Sequence, residues 1–158
     1  MTIFQQLYDL CVQSQISIAT SESCTAGLLA ARITSVAGAS SFFKGGVIAY
    51  QNQIKIDLLA VSEEIISKET EVCAQVVEQM AQSVRAKFSA DYSIATSGYA
   101  GPSGGNEINP VGTVFIAISS QQGTMSKRFL FMGDRQSIVM QAVNSGAALL
   151  INELKNQK

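Results

Sequence analysis

The chain has 158 residues, of which 47% are hydrophobic and 15% charged, and it carries a formal net charge of -1 with no histidine. This composition is typical of one folded domain with a buried core, and it argues against a disordered chain or a nucleic-acid-binding surface. Because imidazole is missing, every mechanism that needs histidine as the base is excluded, and a general base would be lysine, tyrosinate, a carboxylate or water.

Apolar periodicity predicts helices and strands that alternate along the chain. In the first half it predicts a helix from Ile3, a strand over 16–20, a helix after Gly27, a strand over 46–50 and a helical turn around Lys55. In the second half it predicts an amphipathic helix over 72–88, a strand over 91–96, a hairpin over 113–131 and a helix after Asp134. Helices that separate short buried strands predict an α/β layered sheet, to which the hairpin adds antiparallel strands.

Location and metal content are also constrained by the sequence. No apolar run approaches the roughly 18 residues that a membrane span needs, and the opening MTIFQQLYDL lacks the pattern of a signal peptide. Three cysteines without CxxC spacing indicate neither a disulfide framework nor a zinc site. We therefore expect a cytoplasmic protein, a single domain over residues 1–158, without metal, membrane or nucleic-acid partners.

The stretch TSESCTAG, residues 20–27, places several polar groups between a predicted strand and a predicted helix. One hydroxyl there is explained as a helix cap. A helix cap does not explain four polar groups in succession. The backbone amides at a helix start can also face an anion or a developing oxyanion. Cys24 is the better intrinsic nucleophile, but without histidine its thiol needs lysine or the helix terminus to lower its pKa.

Two further segments carry candidate chemistry. Tyr50 and Lys55 follow the predicted strand over 46–50, and a lysine that is removed from water has a lowered pKa and can act as a base, including beside a serine. The structural alternative is a half-buried tyrosine and a solvent-exposed lysine. The loop over 98–112 holds five glycines and both prolines, so its backbone can approach a ligand closely. Arg135 in the first turn of the last helix would suit a phosphate or carboxylate ligand if it points inward.

Several stretches together resemble the CinA carboxy-terminal domain family, named for competence- and damage-inducible protein A. They are ESCTAGLLAARIT, GASSFFKGGVIAYQN followed by Lys55, TSGYAGPSGG, PVGTVFIAI and FMGDR, and the resemblance extends from Met1 to about Leu154. It implies a three-layer α/β/α sandwich with a mixed, mostly parallel central sheet. It also implies a homo-oligomer that hydrolyses the carboxamide of nicotinamide mononucleotide, without a cofactor, to nicotinate mononucleotide and ammonia.

The same resemblance implies roles for individual residues. The family's catalytic serine, tyrosine and lysine fall on Ser23, Tyr50 and Lys55, with Lys55 taking the serine proton directly or through the tyrosine. Backbone amides in the first turn after the serine or in the glycine pair of the next strand would hold the oxyanion, and Arg135 and the glycine-rich loop would receive the phosphate. The predicted substrate-binding residues are Cys24, Thr25, Ala26, Gly45, Gly46, Ser97, Gly101, Gly104, Gly105 and Arg135.

The chain departs from the family pattern in places, and two other functions stay open. SCTAG, YQN, NQIK and GYAGP replace SCTGG, YSN, NEAK and GIAGP, and a family stretch resembling HGAVSEE is replaced around Lys68 to Cys73. A non-catalytic nucleotide-binding or regulatory module is one alternative. The other is a thiol hydrolase that uses Cys24 as its nucleophile.

Overall fold

The computed structural model of the chain describes residues 1–156, which form six α-helices and five β-strands. The helices are α1 (Ile3–Gln13), α2 (Leu28–Thr34), α3 (Asn52–Leu59), α4 (Glu63–Glu69), α5 (Ala74–Lys87) and α6 (Arg135–Asn156). The strands are β1 (Ile18–Glu22), β2 (Phe43–Ile48), β3 (Tyr92–Gly98), β4 (Thr113–Ser120) and β5 (Gly123–Leu130). A short 3-10 helix, Ala39–Ser41, precedes β2.

The strands form one mixed sheet in the order β2-β1-β3-β4-β5. β1 pairs in parallel with both β2 and β3, whereas β4 is antiparallel to both β3 and β5. Four strands therefore run in one direction, and β4 alone among residues 1–156 runs in the other. The chain leaves β1 for β2 on one side and later returns to β3 on the other, so the strand order reverses at β1. In open α/β sheets the crevice at such a switch point is where ligands bind.

Helices cover both faces of the sheet, so the predicted three-layer α/β/α arrangement is confirmed. α1, α2 and α6 cover one face and contribute Leu7, Leu29 and Leu150 to its core. α3 and α5 cover the other face with Leu59, Met80 and their neighbours. Successive strand residues alternate between these two cores because the side chains of a strand point to opposite faces.

The prediction for the second strand was wrong in its position and its burial. β2 spans Phe43–Ile48 and lies at the sheet edge, where its residues alternate between half-buried and exposed. Gly45 and Gly46 consequently lie in the middle of the strand, and Tyr50 lies beyond its end. A Cβ atom at Gly45 would lie 2.8 Å from the ring of Phe88, so the glycine is required there by packing against the neighbouring α5 terminus.

The helix α4 was not predicted from the sequence. None of its side chains is buried, so it carries no apolar stripe from which helical periodicity could be recognised. Its ends are stabilised locally instead. The Ser62 hydroxyl accepts a hydrogen bond from the Ile65 amide at the amino end, and Lys68 and Glu64 form an i,i+4 ion pair.

Candidate active site

Ser23 lies where the carboxyl ends of three parallel strands meet. It directly follows β1, and its backbone N–H donates to the carbonyl of Thr96 in β3 at 3.0 Å. On the other side, the Ala49 amide beyond β2 donates to the carbonyl of Glu22 at 2.8 Å. These two bonds extend the sheet pairing past the strand ends. They hold Ser23 in the crevice between β1 and its neighbours.

The carboxylate of Glu22 caps helix α2 from the end of the preceding strand. Glu22 is 1% exposed, and its two oxygens accept from the amides of Leu29 at 2.8 Å and Ala30 at 3.1 Å. One of the same oxygens accepts from the Thr25 hydroxyl at 2.6 Å. The α2 amides are thereby paired within the chain. This helix start therefore does not present them to a ligand, although TSESCTAG alone suggested that it could.

A pocket of about 200 Å³ opens at this edge of the sheet, beyond the carboxyl ends of the strands, where ligands of open α/β sheets bind. Six residues singled out from the sequence line it, and they come from the segments after β1, after β2, after β3 and at the start of α6. They are Ser23, Cys24, Tyr50, Lys55, Gly101 and Arg135. Chain topology thus brings into one cavity residues that lie far apart in the sequence.

Lys55 is the most completely buried charged-type side chain in this pocket, with 1% exposure. It shares the inward face of α3 with Leu59, four residues further along the helix, so helical spacing explains its burial. Burial lowers the pKa of the Lys55 amine, and the charges of Glu71 and Cys24 oppose this shift. Within residues 1–156 its Nζ makes one hydrogen bond, to the Tyr50 carbonyl at 3.4 Å. An uncharged amine with spare hydrogen-bonding capacity can accept a proton.

Tyr50 and Arg135 form another part of the pocket wall. The guanidinium of Arg135 donates from Nη2 to the Tyr50 hydroxyl at 2.8 Å and from Nη1 to the Gly101 carbonyl at 2.7 Å. The guanidinium of Arg135 therefore lines the pocket from the start of α6. The sequence predicted a phosphate or carboxylate ligand for Arg135 on the condition that it points inward. The Tyr50 hydroxyl contacts this arginine, whereas neither Lys55 nor Ser23 is among its hydrogen-bond partners in residues 1–156.

Ser23 and Lys55 line the same pocket without a hydrogen bond between Ser23 Oγ and Lys55 Nζ in the described chain. Catalytic hydrogen bonds are commonly longer in a ligand-free site than in the substrate complex. The two groups thus line a shared pocket, and a direct hydrogen bond between them requires a movement or a bridging water molecule.

Cys24 lies beside Ser23 but has the wrong electrostatic environment for a nucleophile. Burial raises the pKa of its thiol to about 12, and the charge of Lys55 only partly offsets that shift. A reactive cysteine needs a lowered pKa, because the thiolate is the attacking form. The Cys24 backbone N–H, by contrast, contacts its own thiol but donates to no acceptor in another residue of 1–156, which makes it a candidate oxyanion donor.

Other predicted binding residues lie behind the pocket wall rather than on it. The Thr25 hydroxyl is occupied by Glu22 and Thr96, and the Ala26 amide donates to the Ser23 carbonyl at 3.0 Å within the turn. The Ser97 hydroxyl donates to the Glu71 carbonyl at 2.8 Å. These contacts hold the turn after β1 and the segment at Glu71 in place.

Four predicted glycines also do not line the pocket. Gly45 and Gly46 pack inside β2, as described above, where a side chain would meet Phe88 or Thr20. Gly104 rests against the Tyr99 ring, and Gly105 approaches the Val111 backbone so closely that an added Cβ would lie 2.7 Å from its nitrogen. In the glycine-rich loop, only Gly101 of the three predicted glycines reaches the cavity.

Six lining residues were not among the predicted site residues: Asn52, Glu71, Gly98, Tyr99, Ala100 and Ser103. Most belong to the loop after β3 or to the start of α3, which the sequence had already marked as candidate segments. Glu71 is different, because it lies in the junction between α4 and α5. The only sequence signal for it was the departure from the family pattern around Lys68 to Cys73.

No group of three or more histidine, cysteine, aspartate or glutamate side chains within residues 1–156 is arranged to hold a metal ion. In the same part of the chain, no helix is long and apolar enough to cross a membrane.

Known proteins resemble the chain over nearly all of its length. It is 41% identical to a CinA-like protein of Flavobacterium psychrophilum over 148 residues, covering 93% of this chain and 35% of that protein. It is 45% identical to a CinA-like protein of Fervidobacterium nodosum over 132 residues, covering 84% of this chain and 32% of that protein. The chain thus spans about a third of the length of the curated relatives it matches.

A solved structure matches the fold as a whole. The crystal structure of competence damage-inducible protein A from Klebsiella pneumoniae superposes with a TM-score of 0.95 and 32% identity, covering 99% of this chain and 97% of that one. The family model for the CinA C-terminal domain matches residues 1–154. Sequence and fold therefore agree, and the chain belongs to the CinA C-terminal domain family.

Proposed function

We propose that this domain is a serine amidohydrolase that converts nicotinamide mononucleotide to nicotinate mononucleotide and ammonia. The observation that carries the proposal is Lys55, a buried amine with a lowered pKa in the same pocket as Ser23. No histidine exists in the chain to serve as the base. A buried lysine beside a serine is an established alternative to a histidine-based nucleophile.

In the acylation step, the Lys55 amine takes the proton of Ser23 Oγ as that oxygen attacks the carboxamide carbon. A carbon–oxygen bond forms, and the electron pair of the carbonyl π bond moves onto the oxygen. The carbon–nitrogen bond then breaks while the Lys55 ammonium donates its proton to the departing nitrogen, which leaves as ammonia. A water molecule, deprotonated by Lys55, hydrolyses the ester to release the carboxylate product and restore Ser23.

The oxyanion needs a donor close to Ser23, and the backbone N–H of Cys24 is the best-placed candidate. It follows the nucleophile directly and has no acceptor in another residue of 1–156. The glycine pair in β2 is not needed for this purpose. Removing one oxyanion donor typically costs about 3 kcal/mol of transition-state stabilisation. The backbone N–H of Cys24 is therefore expected to contribute strongly to this mechanism.

Arg135 is the proposed phosphate ligand, and Tyr50 is proposed to position it. The guanidinium enters the pocket from α6 and is oriented by the Tyr50 hydroxyl and the Gly101 carbonyl. Arginine binds phosphate oxygens with charge-assisted hydrogen bonds. The Tyr50 carbonyl meanwhile accepts the only hydrogen bond that Lys55 Nζ makes within residues 1–156. Tyr50 therefore links the proposed base to the proposed phosphate ligand without itself carrying the proton.

The test is ammonia release from nicotinamide mononucleotide by the purified chain with EDTA present. Wild-type protein is expected to turn over, and Ser23→Ala is expected to lower kcat at least roughly 1,000-fold because the attacking atom is gone. Ser40→Ala, which changes an exposed serine, is the matched control and should leave the rate unchanged.

Two results would assign a different function. If the wild-type chain binds the nucleotide by calorimetry but releases no ammonia, the domain is a binding or regulatory module. If Cys24→Ala rather than Ser23→Ala abolishes activity, the nucleophile is the thiol. The raised pKa of Cys24 leads us to expect that Cys24→Ala keeps most of the activity.

A further inference from the structure

The pocket contains the carboxylate of Glu71, to which the proposed mechanism assigns no role. Glu71 lines the same cavity as Ser23, Lys55 and Arg135. Within residues 1–156 its side chain accepts no hydrogen bond and forms no ion pair, although its charge acts on the Lys55 amine. A carboxylate beside a reacting centre without a partner in the chain is a candidate for contact with a ligand.

The chain fixes the Glu71 segment from several directions. The Ser97 hydroxyl holds the Glu71 carbonyl at 2.8 Å, and the Asn109 side chain holds the next carbonyl, that of Val72, at 3.2 Å. On the preceding side, the Tyr99 hydroxyl donates to the Thr70 hydroxyl at 3.3 Å. Thr70 itself has a φ of +68°, an uncommon conformation for a β-branched residue. The carboxylate is therefore presented from a rigid turn.

The pocket consequently has two charged sides of opposite sign. Arg135 enters from α6, which covers one face of the sheet, and Glu71 enters from the junction before α5, which covers the other face. Lys55 lines the same pocket, and burial lowers the pKa of its amine while the charge of Glu71 opposes that shift. A ligand that spans the pocket meets a cation at one end and an anion near the reacting centre.

We propose that Glu71 is a specificity-determining residue, which favours carboxamides carried on a positively charged ring over the same amides on a neutral ring. This inference rests on the proposed function for the identity of the reacting amide. In nicotinamide mononucleotide the pyridinium ring bears the carboxamide directly, so an amide placed at Ser23 brings the ring cation close to Glu71. The phosphate, which carries the opposite charge, then lies on the side of Arg135.

Reduced nicotinamide mononucleotide is a matched probe, because it has the same carboxamide, ribose and phosphate on an uncharged dihydropyridine ring. Dissociation constants for the oxidised and reduced nucleotides are measured by calorimetry in Ser23→Ala, which removes turnover. We expect the oxidised nucleotide to be favoured, and we expect Glu71→Gln to reduce that preference about tenfold, as one lost charge interaction at a partly screened site would. Glu71→Asp should retain part of the preference.

Glu69→Gln, which removes the same charge from an exposed position at the end of α4, is the control and should leave the preference unchanged. Equal weakening of both nucleotides by Glu71→Gln would overturn the inference, because it would indicate contact with the shared ribose or a loss of local structure. No change in either affinity would overturn it as well.

The two proposals can fail separately. If wild-type protein releases no ammonia but the charge preference depends on Glu71, the proposed hydrolysis is wrong and the selectivity of the pocket stands. If ammonia is released but the preference is independent of Glu71, the specificity role is wrong and the hydrolase stands. If neither nucleotide binds, both proposals are wrong.

Discussion

The amino end of α2 and the wall formed by α3 each enclose a charged-type side chain that is 1% exposed, Glu22 in the first and Lys55 in the second. Glu22 accepts three hydrogen bonds of 2.6 to 3.1 Å. Lys55 makes a single long one of 3.4 Å within residues 1–156. The two side chains are thus equally buried but differ in how many of their possible hydrogen bonds are formed within residues 1–156.

The difference separates a structural role from a chemical one. A buried group whose hydrogen bonds are complete is costly to remove, because its partners are left unpaired. A buried amine with incomplete hydrogen bonds costs stability to keep, and it retains the capacity to accept a proton. Burial alone does not distinguish Glu22 from Lys55, whereas the number of hydrogen bonds does, and that difference supports the proposed role of Lys55 as a base.

The largest expected effect is on catalysis, in Lys55→Met. This substitution keeps the length of the side chain and removes the amine, so kcat/KM for ammonia release should fall about 1,000-fold, within the range of general-base catalysis. The free energy of unfolding should rise by about 1 kcal/mol, because an incompletely satisfied polar group is replaced by an apolar one. Steady-state kinetics and urea unfolding measure the two quantities on the same protein.

Lys87→Met, on the exposed end of α5, is the control for Lys55→Met and should change neither quantity appreciably. A Lys55→Met variant that is much less stable than wild type would contradict the proposed difference between the two residues, because Lys55 would then stabilise the fold as Glu22 does.

A smaller effect, on stability, is expected for Glu22→Ala. The substitution leaves the amides of Leu29 and Ala30 without acceptors in a buried site, so the free energy of unfolding should fall by about 3 kcal/mol. The urea midpoint measures it. Glu63→Ala removes an exposed carboxylate from the first turn of α4 and should cost less than about 1 kcal/mol. An equal loss in the free energy of unfolding for both substitutions would show that the three hydrogen bonds of Glu22 do not stabilise the fold more than an exposed carboxylate does.

The smallest effect concerns pH. Burial lowers the pKa of Lys55 from its ordinary value of 10.5, so between the lowered value and 10.5 the unfolded chain binds one more proton at this site than the folded chain does. Stability from this site therefore rises with pH through that window and is lowest below it. The stability advantage of Lys55→Met over wild type should shrink as the pH approaches 10.5. A constant difference across that window would contradict the lowered pKa.

Much of this arrangement could be predicted from the sequence, for identifiable reasons. The alternation of strands and helices was visible because apolar periodicity reports burial, and the strand-end rule brought Ser23, Lys55 and the loop after β3 to one edge. The helix α4 was missed because it has no fully buried residue, and its partly buried Ile65 and Ile66 are adjacent in the chain and form no helical periodicity. The role of Glu22 was missed because a carboxylate that caps a helix from seven residues away depends on the tertiary path of the turn.

The site was predicted less completely than the fold. β2 was predicted to begin at Gly46, three residues after its observed start at Phe43, and the observed start places Gly45 and Gly46 in the middle of the strand, where they pack against neighbouring residues. Glu71 has no periodic or motif signal of its own, because its place in the pocket is set by hydrogen bonds from Ser97, Asn109 and Tyr99, which are distant in the chain. Such positions become visible only when the packing is known.

Arg135 begins the last helix, whereas Ser23 follows the first strand. During synthesis the serine therefore leaves the ribosome long before the arginine that would hold the nucleotide. A nascent or truncated chain that lacks α6 has the proposed nucleophile, Ser23, without the proposed phosphate ligand, Arg135. On the proposed mechanism, nucleotide capture would begin only when the last helix docks, so the order of translation itself would delay activity until the domain is complete.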